Sequence, residues 1–248
     1  MEQVWRIVVK YWPMYLRGAG VTLYLSILGT VFGFMIGLLA GIIRTIPIPE
    51  NGWKRTFLKV VNAILGVYIE IFRGTPMIVQ AMVIYYGAAQ AGFEMDRMAA
   101  GILIVSINTG AYMAEIIRGG IESIDRGQFE AAQALGMNPV QTMSKVVLPQ
   151  AIRNILPAVG NEFVINIKDT SVLNVISISE LYFQTSTVAG IHFSFFGPFF
   201  IACILYFIMT FTVTRILRMI EKKLDGPENY VLANAARKGK EVPYGEGN

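Results

Sequence analysis

The chain has 248 residues, of which 54% are apolar and only 15% are charged, and its mean hydropathy is +0.52. Soluble domains carry about 25% charged residues, so this chain has too few charges to cover a globule in water. The composition excludes an ordinary soluble domain and predicts an all-α membrane protein with one domain of several spans. The net charge of +4 comes from basic residues that flank apolar runs, which is typical of membrane topology rather than of nucleic-acid binding.

Cysteine and histidine, which often form catalytic or metal-binding sites, occur once each. Cys203 is the single cysteine, which excludes an internal disulfide and a thiolate metal cluster. His192 is the single histidine and has no partner ligands in the sequence, so we interpret it as a surface residue. No G-x-S-x-G or H-E-x-x-H motif is present. We therefore expect no catalytic residue, no bound metal and no enzymatic activity in this chain.

Five segments are apolar and long enough, or nearly so, to cross a bilayer, which takes about 20 residues. In chain order they are Val21–Ile43, Pro76–Gly92, Met98–Ile117, Ala151–Leu181 and Phe195–Ile216. The second reaches full length as Ile71–Gly92 if the Arg73 side chain extends to the interface. The fourth carries many polar residues, so we expect it to be buried among the other spans.

The distribution of the 21 Lys and Arg residues sets the predicted topology. If the chain crosses the membrane five times, most of these residues lie on the same side of the membrane as the C-terminus. Because basic residues are enriched on the cytoplasmic side, this predicts an N-terminus outside and a C-terminus in the cytoplasm. The predicted parts are an extracytoplasmic segment (1–17), a transmembrane domain (18–222) and a cytoplasmic tail (223–248). We interpret Trp53–Ile71 as an interfacial helix on the cytoplasmic face. A shallow sixth span there would invert the charge asymmetry.

The first span contains a repeated glycine spacing. Gly29, Gly33, Gly37 and Gly41 follow one another at four-residue intervals. Small residues at this spacing let two helix backbones approach closely within a membrane. The pattern predicts a packing ridge, and it leaves open whether the neighbouring helix belongs to the same chain.

The longest polar interruption between spans, residues 123–149, is predicted to be a cytoplasmic hairpin of two short helices. Asp125 can cap the first helix, with Gln128 reaching back to it, and Gly136 can end that helix in the left-handed region. Asn138 can cap the second, with Pro139 in its first turn. We expect Pro149 to stop the second helix or to mark the entry into the next span.

The surface of the first short helix is small and apolar. Ala131, Ala132 and Ala134 form a smooth face, which Phe129, Leu135 and Met137 flank. Such a compact helix can dock in the groove of a partner protein. Taken alone, the pattern is equally compatible with a structural loop.

The spacing of Glu130-Ala131-Ala132, Gly136, Val146 and Leu148-Pro149 resembles the EAA loop of ABC importer permeases. Val146 stands where that family usually has isoleucine. In the family, this loop is the coupling helix that docks on the ATP-binding subunit. The resemblance therefore implies coupling residues, namely Glu130, Ala131, Ala132, Leu135, Gly136, Leu148 and Pro149.

Three further stretches resemble the polar amino-acid branch of this family. They are Glu70–Pro76 with Gln80 and Tyr85–Gly87, Ala111–Tyr112 with Glu115–Ile121, and Lys168–Ser171. The resemblance implies a type I importer permease fold of about five transmembrane helices in the bacterial cytoplasmic membrane. It also implies three partners: a second permease copy or a homologous permease, two ATP-binding subunits and an extracytoplasmic solute-binding protein. The sequence has no G-x-x-x-x-G-K-[ST] loop, so we expect ATP and Mg to bind the ATPase partner.

Ionisable residues inside a span usually face a cavity or one another. Glu162, Asn166 and Asp169 fall on one helical face, and Lys168 lies beside them. Because an amino-acid zwitterion carries both charges, we expect these four residues to line the substrate path, with Asn108 and Thr109 as further candidates. The alternative is that Lys168 pairs with Asp169 or Glu162 only to stabilise the bundle.

Glu70 and Arg73 are predicted to lie together at the cytoplasmic mouth, as a gate or as an interfacial ion pair. The predicted function is that of a permease subunit of an ATP-driven importer for polar amino acids, which works by alternating access. The alternative is an ion-coupled secondary amino-acid transporter. The identity of the amino acid, and the choice between homodimer and heterodimer, stay open at the level of sequence.

Overall fold

The computed structural model describes residues 2–224, and the regular structure in this range is helical throughout. All but the first two residues of the predicted tail (223–248) lie outside the described range. The helices, in chain order, are α1 (Glu2–Thr45), α2 (Trp53–Gly74), α3 (Met77–Gln90), α4 (Arg97–Glu122), α5 (Arg126–Ala134), α6 (Pro139–Thr142), α7 (Leu148–Asp169), α8 (Leu181–His192) and α9 (Phe196–Leu224). A π-helical turn (Met143–Val147) precedes α7, and a 3₁₀ turn (Thr170–Ile176) follows it.

Three of the described helices are long and apolar enough to cross a membrane by themselves: Val4–Thr45, Arg97–Glu122 and Phe196–Lys223. The first is much longer than the predicted span Val21–Ile43, because α1 starts at Glu2 and continues past Pro13. Its 44 residues correspond to about 66 Å at 1.5 Å per residue. We call the end of the bundle near Thr45 and Glu122 the hairpin end, because α5 and α6 lie there.

The glycine ridge of α1 packs against α4 of the same chain. A Cβ atom built on Gly33 would lie 2.7 Å from Cβ of Thr109, and one on Gly37 would lie 2.8 Å from the backbone nitrogen of Ala114. Both distances are too short for real atoms, so only glycine allows this approach. The packing ridge predicted from the four-residue spacing is confirmed, and its neighbour is intramolecular.

The second crossing is broken. The hydroxyl of Tyr68 in α2 donates to the carbonyl of Ile107, near the middle of α4, and Ala81 in α3 packs beside Ala100, near the start of α4. Helices α2 and α3 together therefore run antiparallel to α4 along its length. The prediction of one continuous helix over 71–92 was wrong, because the chain breaks at 75–76. The interfacial interpretation of 53–71 was wrong for the second half of α2, which packs one face, with Tyr68 and Ile69, against the middle of α4.

The fourth crossing combines α7 with the 3₁₀ turn. Ile155 packs against Gly120 at one end of α4, Asn166 contacts Thr109 at its middle, and Ile178 packs against Gly101 near its start. Helix α7 also packs against α1 and α9. Of the polar residues that predicted its burial, Asn166 is buried, whereas Asn154, Asn161, Lys168 and Asp169 are exposed in the single chain. Helix α8 lies beyond the start of α4, where it packs against the N-terminal part of α1 and against α9.

Pro149 marks the entry into the next span, which was one of the two predicted alternatives, and does not end the second short helix of the hairpin. Instead, α6, the π turn and α7 form one uninterrupted helical segment, with Pro149 in the first turn of α7. A proline within an α-helix lacks an amide donor and its ring clashes with the carbonyl four residues earlier. The wider π turn accommodates this, since the Leu148 amide donates to the carbonyl of Met143, five residues earlier.

Candidate functional site

The two helices of the hairpin begin at side-chain caps. The Asp125 carboxylate accepts from the amide of Gly127 at 2.7 Å. Asn138 and Gln141 form a reciprocal capping box, with distances of 2.9 and 3.0 Å. The predicted contact from Gln128 back to its cap is replaced by a contact with Gln150, whose amide nitrogen lies 3.3 Å from the Gln128 oxygen.

The turn between the two helices depends on Gly136, which has a φ of +76°. Its amide donates to the carbonyl of Gln133 at 2.9 Å, and the Met137 amide donates to that of Ala132 at 3.1 Å. These bonds satisfy carbonyls at the end of α5, as a left-handed terminal residue does in many helices. The left-handed conformation predicted for Gly136 is therefore present.

The hairpin has one face packed on the bundle and one face exposed. Phe129 and Met143 pack on a core cluster that contains Ile121 and Val147, and Ala132 is buried. On the other face, Leu135 is 82% exposed and Val140 is 76% exposed. Among the residues predicted to couple to a partner, Glu130, Ala131, Gly136 and Pro149 are also exposed, whereas Leu148 is half-buried. A rigidly held, exposed apolar surface suits the docking of a second protein.

A second polar arrangement closes the break between α2 and α3. The side-chain amide of Gln80 donates to the carbonyls of Phe72 and Thr75, and the Asn108 amide donates to the Gln80 oxygen at 2.9 Å and to the Phe72 carbonyl at 3.2 Å. A carbonyl left without a donor inside a membrane is costly. We predicted that Asn108 lines the substrate path. In the structure, its amide instead donates to a carbonyl that the break in the helix leaves without an intrahelical donor. Gln80 was known from sequence only as part of a family resemblance.

Glu70 and Arg73 do not lie at the mouth of the bundle. The guanidinium of Arg73 is stacked over the Tyr112 ring, 5.4 Å from its centroid, and the adjacent Phe72 carbonyl contacts Asn108. Both α4 residues are well inside that helix, so the predicted location at the cytoplasmic mouth was wrong. Within the described residues, Glu70 and Arg73 do not form the ion pair considered as the alternative. Both side chains are exposed in the single chain.

Two of the predicted path residues are buried in the subunit interior. The Asn166 amide donates to the Thr30 hydroxyl at 2.8 Å, and the Thr109 hydroxyl donates to the Asn166 oxygen at 3.1 Å. Asn166 is 3% exposed and Thr109 is 1% exposed. This triad joins α1, α4 and α7, so we withdraw Asn166 and Thr109 from the predicted path.

The remaining charged residues of α7 stay accessible. Lys168 and Asp169 are exposed and Glu162 is half-buried. Within the described residues, none of the three is in an ion pair, so the close pairing of Lys168 considered as an alternative is absent. We refer to the accessible charged residues of α2 and α7 together as the charged band, namely Arg73, Glu162, Lys168 and Asp169. Lys168 is on a different side of α7 from Glu162 and lines a cavity with Arg215 and Arg218 of α9.

An ion-pair network near the hairpin end was not anticipated. Arg44 of α1 pairs with Glu115 of α4, which also pairs with Arg118 at 2.8 Å, and Arg118 pairs with Glu122 at 2.6 Å. The sequence signal was present, since Glu115 and Arg118 fall one helical turn apart, but the approach of Arg44 depends on the glycine ridge. The network fixes the end of α1 to the helix that leads into the hairpin.

Within the described part of the chain, no group of three or more His, Cys, Asp or Glu side chains could hold a metal ion. His192 lies at the end of α8, where its ring makes an edge contact with Tyr11 at 5.3 Å between centroids. Cys203 is exposed on α9.

The helical bundle, its broken second crossing and the exposed hairpin are the features of a membrane protein with several spans. Residues 33–226 match the family described as "Binding-protein-dependent transport system inner membrane component". The match covers well over half of the 248 residues, and the chain belongs to this family. It is an inner membrane protein of the all-α fold class that the sequence predicted.

Relatives of known function agree with this membership. The chain is 37% identical over 226 residues to the glutamine transport system permease protein GlnP of Escherichia coli, covering 90% of this chain and 99% of GlnP. It is 32% identical over 213 residues to the arginine transport system permease protein ArtQ of Bacillus subtilis, covering 86% of this chain and 93% of ArtQ. A crystal structure of an amino acid ABC transporter with histidines matches with a TM-score of 0.77 and 37% identity, over 87% of this chain and 96% of that chain.

Proposed function

We propose that this chain is the permease subunit of an ATP-driven importer for polar amino acids. The observation that carries the proposal is the hairpin, whose turn is held at a φ of +76° by Gly136 and whose exposed face presents Leu135 and Val140 at one end of the bundle. Permeases named for glutamine and arginine transport, similar over nearly their whole length, support the class of substrate.

The hairpin end is the cytoplasmic end in this proposal, so the N-terminus lies outside. The exposed face of α5 and α6 docks on a separate ATP-binding subunit, which holds ATP and Mg. When that subunit closes on ATP, the hairpin moves, and the bundle changes between outward-open and inward-open states. A second copy of this chain or a homologous permease completes the path, and an extracytoplasmic solute-binding protein delivers the substrate.

The charged band lines the substrate path in this proposal. Glu162 and Asp169 offer carboxylates to the ammonium group of an amino acid, while Lys168 and Arg73 offer cations to its carboxylate. All four belong to α2 and α7 and are accessible in the single chain. Among the residues that the structure describes, no ion pair neutralises these charges, and a path that runs between two copies would bring two such bands together.

The test is reconstitution of the permease in proteoliposomes with its ATP-binding subunit and binding protein. Uptake of a labelled polar amino acid should require ATP and all three components. Uptake that proceeds without the ATPase and follows an imposed proton or sodium gradient would contradict the proposal and support an ion-coupled transporter instead. The relatives reported above are ABC permeases and do not favour that alternative.

A further inference from the structure

The N-terminal part of α1 carries a row of exposed apolar side chains, which we call the N-terminal stripe: Trp5, Val9, Trp12 and Leu16. Their exposed fractions are 68, 57, 55 and 55%. The spacing of four, three and four residues places them on one side of the helix. The opposite side is packed, since Ile7 and Tyr15 are buried against α8 and α9.

A basic row lies beside this stripe. Arg6, Lys10 and Arg17 are exposed, and at 100° per residue they share one flank of the helix next to the apolar side chains. Arg6 is in an ion pair with Glu2 at 2.6 Å. Lys10 and Arg17 make no ion pair with any residue that the structure describes.

Beyond a gap at Gly20, a further row of exposed apolar side chains follows the N-terminal stripe along α1. Tyr24, Ile27, Val31, Met35 and Leu39 follow at intervals of three or four residues and are 49 to 66% exposed. The neighbouring start of α9 is equally apolar outside, where Phe195 and Phe196 are 70 and 77% exposed. A part of the bundle that exposes aromatic side chains on two sides matches a lipid environment better than water.

The dimensions allow the whole row to contact lipid. From Trp5 to Leu39 the helix rises about 51 Å at 1.5 Å per residue. Spanning helices tilt by up to about 40°, and at that tilt the row projects to roughly 39 Å along the membrane normal. A bilayer with both headgroup regions is about 40–45 Å thick. With Trp12 at the boundary of the headgroups, Leu39 lies about 31 Å further along the normal at this tilt, which is the thickness of the hydrocarbon core. Trp5 then lies in the headgroup region, and Lys10 and Arg17 lie within about 6 Å of the boundary, so their long side chains can extend to the headgroups.

We propose that residues 2–17 of α1 are an interfacial anchor that binds anionic phospholipid. Trp5 and Trp12 lie at the boundary between headgroups and acyl chains, where tryptophan is enriched in membrane proteins. Lys10 and Arg17 bind the lipid phosphate. A second protein is a poorer occupant of this surface, because lysine is depleted at protein interfaces. The inference does not rest on the proposed substrate, and it differs from the expectation that residues 1–17 stay outside the membrane.

The chain has three tryptophans, Trp5, Trp12 and Trp53, which makes fluorescence a direct test. The double variants Trp12→Phe/Trp53→Phe and Trp5→Phe/Trp53→Phe each keep one reporter in the stripe. In phosphatidylcholine vesicles with brominated acyl chains, we expect both reporters to be quenched, more strongly by bromine near the headgroup than by bromine near the chain end. If brominated lipid quenches neither reporter, the proposed anchor is wrong. Quenching of both reporters by aqueous iodide would then show that the stripe faces water.

A second measurement tests the headgroup charge. A minor fraction of brominated phosphatidylglycerol is compared with the same fraction of brominated phosphatidylcholine, using the Trp12 reporter. One basic residue near an anionic surface changes lipid binding by about fivefold, so we expect clearly stronger quenching by the anionic lipid. Lys10→Gln/Arg17→Gln should remove the difference, whereas Lys222→Gln/Lys223→Gln, at the far end of α9, should keep it. Equal quenching by the two lipids in the parent protein would overturn the binding of anionic lipid.

Discussion

The side-chain amide of Gln80 donates to the carbonyl oxygen of Phe72 at 3.0 Å, across the break between α2 and α3. The same nitrogen contacts the carbonyl and the hydroxyl of Thr75, both at 2.9 Å. One buried side chain, 6% exposed, thus satisfies backbone groups that a continuous helix would have satisfied by itself. The break in the second crossing depends on this residue.

Replacing this amide with an apolar group should loosen the crossing. Gln80→Leu leaves the Thr75 carbonyl without a donor and removes the acceptor of Asn108, while the Phe72 carbonyl keeps only its contact with Asn108. Each buried group left without a partner costs about 1–3 kcal/mol. We expect a lower midpoint of thermal unfolding in detergent, measured by fluorescence-detected size exclusion. Gln90→Leu, at the exposed end of the same helix, is the matched control. An unchanged midpoint for the Gln80 variant would show that the amide does not hold the break.

The glycine ridge gives a second prediction, which concerns the contact of α1 with α4. In Gly37→Ala, the added Cβ would lie 2.8 Å from the Ala114 nitrogen, so the two backbones must separate and lose dispersion contact. Gly20→Ala, in the same helix, meets no atom within 4 Å and should be neutral or stabilising by up to about 1 kcal/mol. The measurement is the unfolding midpoint of both variants, and equal midpoints would contradict the close approach.

The third prediction concerns the turn of the hairpin. Gly136→Val places a β-branched residue at a φ of +76°, a region that such residues rarely adopt. Asparagine tolerates this region better, so Gly136→Asn should retain coupling. We expect the valine variant to insert and assemble normally but to lose most ATP-driven uptake while ATP hydrolysis continues. Normal coupled uptake by Gly136→Val would count against the docking role of the hairpin.

A fourth prediction concerns the ion pair between Arg44 and Glu115. A double-mutant cycle with Arg44→Gln, Glu115→Gln and the combined variant measures the coupling between them in unfolding free energy. Both side chains are only about a quarter exposed, and Glu115 also holds Arg118. We therefore expect a coupling of about 0.5–3 kcal/mol, the range for residues in one network. A coupling indistinguishable from zero would mean that the glycine ridge alone fixes α1.

The fifth prediction separates path residues from interior residues. In a Cys203→Ser background, cysteines at Glu162, Lys168 and Asp169 should react with a small aqueous thiol reagent in at least one nucleotide state. Cysteines at Thr109 and Asn166 should stay unreactive in folded protein, since these positions are buried. If the first group is unreactive in every state, the charged band does not line the path.

The hairpin was predictable because its signals are local. The caps at Asp125 and Asn138 and the turn at Gly136 are set by residues within a few positions of one another. The broken crossing was not predictable in this way. Hydropathy favoured one span over 71–92, whereas the break is held by Gln80 together with Asn108, which is 36 residues from the Phe72 carbonyl it contacts.

Helical periodicity identified a polar face on α7 but not which of its members are accessible. Asn166 lies one turn from Glu162 and shares its face in the sequence. Its burial depends on how α7 crosses α1 and α4, which brings Thr30 and Thr109 to its amide. Arg73 was misplaced for a related reason, since its depth is set by the register of α2 on α4 rather than by its distance from the basic residues of the loop.

The π turn at Met143–Val147 joins the hairpin to α7 in one rod from Pro139 to Asp169, about 46 Å long at 1.5 Å per residue. A torque applied at the docking surface therefore reaches Lys168 without passing through a flexible joint. The turn also sets how far the side chains of α7 are rotated about the helix axis relative to those of α6. Removing a single residue there would rotate the charged side chains of α7 by about 100° relative to the exposed face of the hairpin, so the two ends would stay intact but point in different relative directions.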